Sequence, residues 1–163
     1  MSVAQKDIDA ITLQLNRTPR GLIEVSKRCD CGNPSVVSTK PELEDGEPFP
    51  THFYLTCATL NSLIGTLEAS GLMKEYEDRL KTDSDFADRY KLAHLDYLTR
   101  RNKYGSNEEI KDISAGGMPN RVKCLHALVA HSLAVGKGIN PVGDDALERL
   151  GNWYKKSCLE DQS

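Results

Sequence analysis

Between Pro119 and Val135 the chain carries a segment whose helical wheel is apolar on both sides, and this constrains its fold more than any other stretch. At 100° per residue, Arg121, Cys124, Leu128, His131 and Val135 fall on one stripe. Val122, His126, Val129 and Leu133 fall on the opposite one. A helix with two apolar faces is expected to lie buried between two layers rather than to float on a surface. Each layer then receives a histidine, which is either a core side chain satisfied by hydrogen bonds or a ligand. The spacing also excludes one arrangement. His126 and His131 are five apart and about 140° out of phase, unlike the i, i+4 pair of a His-Glu-x-x-His zinc helix. Cys124 and His131 share a stripe, but they would reach a common site only with a third element.

The two layers have identifiable sources. Ile8, Ile11 and Leu15 at helical spacing predict a short N-terminal helix over 5–16, broken by Thr18-Pro19-Arg20-Gly21. Leu22–Val25 and Val36–Ser38 are β-prone runs joined through Cys29-Asp30-Cys31-Gly32-Asn33-Pro34, which predicts a hairpin with its cysteines at the tip. An acidic, proline-rich loop over 40–50 leads to a third strand over His52–Thr56, closed by Cys57. From Leu60 the period turns helical, with Leu60, Leu63, Ile64 and Leu67 on one face and Gly71 where a helix stops. Phe86, Tyr90, Ala93 and Tyr97 mark the longest helix, over 83–101, which Thr82 or Asp83 caps. Gly116-Gly117-Met118-Pro119 announces the two-faced helix, with Pro119 suited to its first turn and Gly136 to its end. A last helix from about Asp145, capped by Asp144 or Asp145, buries Leu147, Leu150 and Tyr154. The expected fold is α+β: a small antiparallel sheet, hairpin plus one strand, covered by about five helices. With 163 residues, one domain is expected, comprising the helix at 5–16, a strand region at 21–57 and a helical region at 60–158.

A formal net charge of −3 argues against bulk attraction to nucleic acid or to an anionic membrane surface. No apolar run reaches the ~20 residues of a membrane span, and Lys6, Asp7 and Asp9 interrupt any signal peptide, so a cytoplasmic protein is expected. Five cysteines, an odd number without an export signal, favour thiols or metal ligands over a disulfide framework.

Three candidate sites emerge. Cys29 and Cys31 sit at a turn, and with Cys57 and Cys124 they would complete a four-sulfur set for zinc or an iron–sulfur cluster. One residue between the first two departs from the usual Cys-x-x-Cys spacing, and the alternative is four small packing side chains. Cys158 reads as packing. The second candidate is the start of the two-faced helix, where the free amides of Gly116 and Gly117, with Arg121 and Lys123, are suited to a phosphate or carboxylate, although no Walker pattern is present. Arg100 and Arg101 would add charge there if the long helix packs nearby. Third, His126, His131 or His94, with Tyr97, would supply proton transfer to such an anionic substrate. These readings leave three function classes open: a metal-stabilised or redox domain, an enzyme on a small phosphorylated or anionic substrate, and a non-catalytic partner-binding domain.

Several runs also carry a resemblance: Arg28-Cys29-Asp30-Cys31-Gly32-Asn33-Pro34, Pro48-Phe49-Pro50-Thr51-His52-Phe53-Tyr54-Leu55-Thr56-Cys57, Leu67-Glu68-Ala69-Ser70-Gly71, the segment from Gly116 to His126, and Asn140-Pro141-Val142-Gly143-Asp144. In this order, from about Gly21 to Trp153, the chain resembles the bacterial family known as domain of unknown function 501. The resemblance supports the segmentation and implies no particular reaction.

Overall fold

The computed structural model describes residues 3–151. Its architecture is α+β, with a three-stranded antiparallel sheet and six helices among the described residues. The helix α1 spans Gln5–Leu15 and ends at Asn16, whose φ of 57° is left-handed. The hairpin is β1, Leu22–Arg28, and β2, Pro34–Thr39, with Arg28 opposite Pro34 at the closed end, so the cysteines do lie at its tip. The third strand, β3, Phe53–Leu55, pairs with β2 in the order β1-β2-β3.

The helical half begins with α2, Ala58–Ala69, whose N-cap is Cys57, with the sulfur accepting the Leu60 N–H. Gly71 then turns the chain at φ 86° into α3, Leu72–Thr82. The long helix α4, Ser84–Asn102, is capped by Asp83, which accepts the Phe86 N–H at 3.1 Å, and its Phe86, Tyr90, Ala93 and Tyr97 stripe is buried. Tyr97 also reaches the edge of the sheet, where its hydroxyl oxygen accepts the N–H groups of His52 (2.6 Å) and Phe53 (3.1 Å), donors that an edge strand would otherwise leave bare.

The two-faced helix is α5, Leu125–Val135, packed between β3 on one side and α6, Pro141–Leu150, on the other. Seven of its eleven residues are buried, as its doubled apolar pattern requires. It starts six residues later than the sequence predicts. Residues 116–124 instead form a closed turn, in which Lys123 donates to the Gly116 carbonyl at 2.7 Å and Arg121 to the Gly117 carbonyl at 2.8 Å. Both glycines adopt positive φ, and a Cβ on Gly117 would stand 2.7 Å from the Arg121 carbonyl oxygen, so the close return of the backbone needs glycine there. Pro119 follows a cis peptide inside this turn and is not the first residue of the helix.

The last helix, by contrast, begins earlier than expected. Its cap is Asn140, whose side-chain oxygen accepts the N–H groups of Val142 (3.2 Å) and Gly143 (3.1 Å), with Pro141 at the first position. Asp144 accepts from Gly138 N–H, and Asp145 accepts the Tyr76 hydroxyl, so neither serves as the cap. Gly143 sits where α6 crosses α5, and a Cβ there would collide with the Leu128 carbonyl and the Ser132 hydroxyl. The expected contributions of Tyr154 and Cys158 lie outside the described residues.

Candidate metal centre

Glu68 belongs to the buried face of α2. It follows Leu60 and Ile64 at successive intervals of four, and that face packs against α5. Cys124 is the N-cap of α5 and His126 lies in its first turn. The three side chains are half-buried and offer a sulfur, a nitrogen and an oxygen that all lie within 4.8 Å of one another.

The hydrogen bonds around this cluster orient it. One carboxylate oxygen of Glu68 accepts the Leu125 N–H at 2.9 Å, placing negative charge at the start of the helix, where the dipole favours it. The other stands 3.2 Å from His126 Nδ1. On the far side of the ring, Nε2 lies 3.1 Å from the Asn61 carbonyl oxygen. A carboxylate and a carbonyl can only accept, so both ring nitrogens carry protons and the imidazole is cationic. Accordingly the His126 pKa is pushed up to about 9, chiefly by its hydrogen bond to Cys124, against burial and with help from the Asn61 carbonyl and Glu68. Burial pushes the Cys124 thiol up, but the His126 bond and the Ala127 N–H outweigh it and hold the thiol below its ordinary value.

Cys124 and His126 line a cleft of about 410 Å³ whose other walls include Leu15, Phe53, Tyr54 and Asn61. The donors suit a single borderline metal ion: thiolate, imidazole and carboxylate are all zinc ligands. The Asn61 contact suits it too, because a ligating histidine commonly donates its other ring N–H to a backbone carbonyl. With Nε2–H so held, Nδ1 is the nitrogen that faces Glu68 and Cys124.

The remaining sequence-predicted residues are placed elsewhere. Cys29 and Cys31 are joined to each other in a disulfide, and Cys57 is buried at the α2 N-cap, so the described residues do not assemble the four-sulfur set Cys29, Cys31, Cys57 and Cys124. His131 is fully buried, its Nε2 2.8 Å from Asp96 and its Nδ1 3.2 Å from the Asn140 amide nitrogen. Phe53 stacks on its ring. It is a satisfied core histidine. His94 contacts the Ser114 hydroxyl at 2.7 Å, and burial, with Arg101 nearby, pushes its pKa down.

At the supposed anion site, Gly117 belongs to the closed turn, Lys123 is exposed, and the Arg121 guanidinium is ion-paired with Glu77. Glu77 accepts the Val122 N–H and Glu68 the Leu125 N–H, so these two backbone amides at the start of α5 are held by carboxylates. Arg101 is buried and donates to the carbonyls of Pro50 (2.9 Å), Ile113 (2.7 Å) and Ile110 (2.7 Å), tying the loop after α4 to the one before β3. Arg100 pairs with Asp96 at 2.8 Å.

Sequence reasoning missed Glu68 and Asn61. For Glu68 the available signal was the helical phase, since it shares the inward stripe of Leu60 and Ile64, where a carboxylate needs a partner; Asn61 contributes only its backbone carbonyl, which no residue pattern announces.

A family model described as "Protein of unknown function (DUF501)" matches residues 25–148. No curated protein and no solved structure matches the chain. No helix among the described residues is long and apolar enough to cross a membrane.

Proposed function

The chain belongs to the DUF501 family, whose description names no activity, and from the geometry of the cluster we propose that it binds a divalent transition metal, zinc foremost, between Glu68, Cys124 and His126. The observation that carries this reading is the His126 ring, held by Asn61 on one side and turned with its other nitrogen toward a carboxylate and a thiol. One thiolate, one imidazole and one carboxylate fit a single zinc ion better than an iron–sulfur cluster, which usually takes four cysteine ligands where this cluster offers one. Because Cys124 and His126 line the cleft, a bound ion would be reachable from it and would act as a Lewis acid toward a ligand there. A zinc ion held there would take the place of the Nδ1 proton, so binding would release a proton.

The test is equilibrium dialysis of the full-length protein against zinc, followed by elemental analysis. One zinc per chain is expected, lost in Cys124→Ser and His126→Ala and kept in Cys29→Ser. Retention of zinc by both cluster variants would overturn the proposal.

A second reading rests on the same contacts. A thiol hydrogen-bonded to a cationic histidine backed by a carboxylate is also the arrangement of a cysteine nucleophile. Rapid alkylation of Cys124 that zinc leaves unaffected would favour it over the metal.

A further inference from the structure

The disulfide at the hairpin tip stands apart from the metal cluster and has its own logic. A crosslink stabilises a fold mainly by removing freedom from the unfolded chain, and the effect grows with the loop it closes. Cys29 and Cys31 are two residues apart, so their bond closes nearly the smallest loop there is. The tip does not depend on it. Cys29 N–H donates to the Asn33 carbonyl and Gly32 N–H to the Cys29 carbonyl, both at 2.9 Å, and Arg28 donates to the Gly32 carbonyl at 3.1 Å. Arg28 is in turn anchored by two bonds to Asp7, at 2.9 and 2.7 Å. Stability is therefore a poor reason for the bond, and its surroundings point to chemistry.

The two sulfurs are unequal. Cys31 is exposed, whereas Cys29 is 7 % exposed and forms part of the wall of a cleft of about 620 Å³ that also includes Lys27, Arg28 and Lys137. Each sulfur already accepts a hydrogen bond at 3.4 Å, Cys29 from the Cys31 N–H and Cys31 from the Asn33 amide. Donors of this kind strengthen when the sulfur becomes anionic, so the tip is prepared to hold the thiolates that reduction creates.

We propose that Cys29–Cys31 is a thiol–disulfide exchange site that oxidises a dithiol, with the Cys31 sulfur the one attacked. A thiolate of the dithiol attacks Cys31 Sγ, the Cys29–Cys31 bond breaks, and Cys29 leaves as a thiolate and takes up a proton. The second thiolate of the dithiol then attacks its own sulfur in the mixed disulfide, and Cys31 departs as a thiolate. Two electrons and two protons pass from the dithiol to the cysteine pair, and the dithiol becomes a disulfide. The reverse direction reduces a disulfide.

The test uses the oxidised full-length protein with dithiothreitol as the dithiol, free thiols being mapped by alkylation and mass spectrometry while circular dichroism reports the fold. Reduction of the pair under native conditions, with the helical and strand signal unchanged, is the expected result. Cys29→Ser should then form a mixed disulfide with oxidised glutathione through Cys31 at least about tenfold faster than Cys31→Ser does through Cys29, because Cys31 is the exposed sulfur and Cys29 is nearly buried. A bond that resists dithiothreitol until the protein is unfolded would overturn the proposal, as would loss of structure on reduction. Equal rates in the two variants would overturn the assignment of Cys31. Zinc binding at Glu68, Cys124 and His126 is read separately and is not altered by any of these outcomes.

Discussion

The two histidines of α5 stand five residues apart on one helix and have opposite surroundings. His131 is sealed between β3 and α6, with one ring nitrogen against the acceptor Asp96 and the other against the donor amide of Asn140, so each ring nitrogen has a complementary partner. His126 is half-buried at a cleft and meets acceptors on both sides, so it needs either a second proton or a metal ion. A buried histidine with complementary partners is architecture. One whose partners both accept is chemically unfinished, and a thiol stands within reach of it. The difference shows that the partners of a histidine, more than its depth, decide whether its ring nitrogens are left with a proton or a ligand still to accommodate.

The largest expected effect breaks the sealed end. His131→Leu takes the ring partner from the buried Asn140 amide and from Asp96, which keeps Arg100, and is expected to cost about 2–3 kcal/mol of stability, mostly from the buried amide left without that acceptor. The same change at His126 should cost about 1 kcal/mol or less and remove zinc binding. Urea unfolding of both variants checks the contrast, and equal losses would erase it.

A smaller effect is expected from Asn140→Ala. It removes the α6 cap and the donor to His131 together, an expected loss of about 1–2 kcal/mol, while zinc uptake by the other end of α5 stays as in the unaltered chain. Thermal unfolding with and without zinc reads both quantities.

The smallest effect is a pH slope. Burial pushes the Asp96 carboxyl up, but hydrogen bonds from His131 and Arg100 outweigh it and hold it below the usual carboxylate range. A depressed carboxylate contributes stability that is present above its unfolded pKa of about 3.9 and is lost as pH falls through the folded value. Unfolding free energy measured from about pH 5 downward should therefore fall more steeply in the unaltered protein than in Asp96→Asn. Identical slopes would remove Asp96 from the account.

Much of the frame was legible locally. The hairpin, the third strand, the Asp83 cap and the stops at Gly71 and Gly136 follow from side chains that act within a few residues of themselves. The start of α5 was not, because Pro119 after two glycines reads as a first helical turn. The actual turn is set by backbone bonds from Lys123 and Arg121 back to those glycines. Cys124 and His126 were visible as reactive residues but belonged to separate hypotheses. What unites them is Glu68, 57 residues before the Leu125 amide it accepts from, and only the packing of α2 on α5 brings it there. The pairing of Cys29 with Cys31 was likewise weighed against by an odd cysteine count, which says nothing about two thiols at one turn.

Cobalt titration followed by absorbance tests the central claim most directly, because a thiolate on cobalt gives a charge-transfer band that a carboxylate or imidazole does not. The unaltered protein is predicted to saturate at one cobalt per chain with that band, displaced by zinc, and Cys124→Ser to lose it while remaining folded. Saturation without the band, or the same band in Cys124→Ser, would contradict the assignment of Glu68, Cys124 and His126 as the metal site.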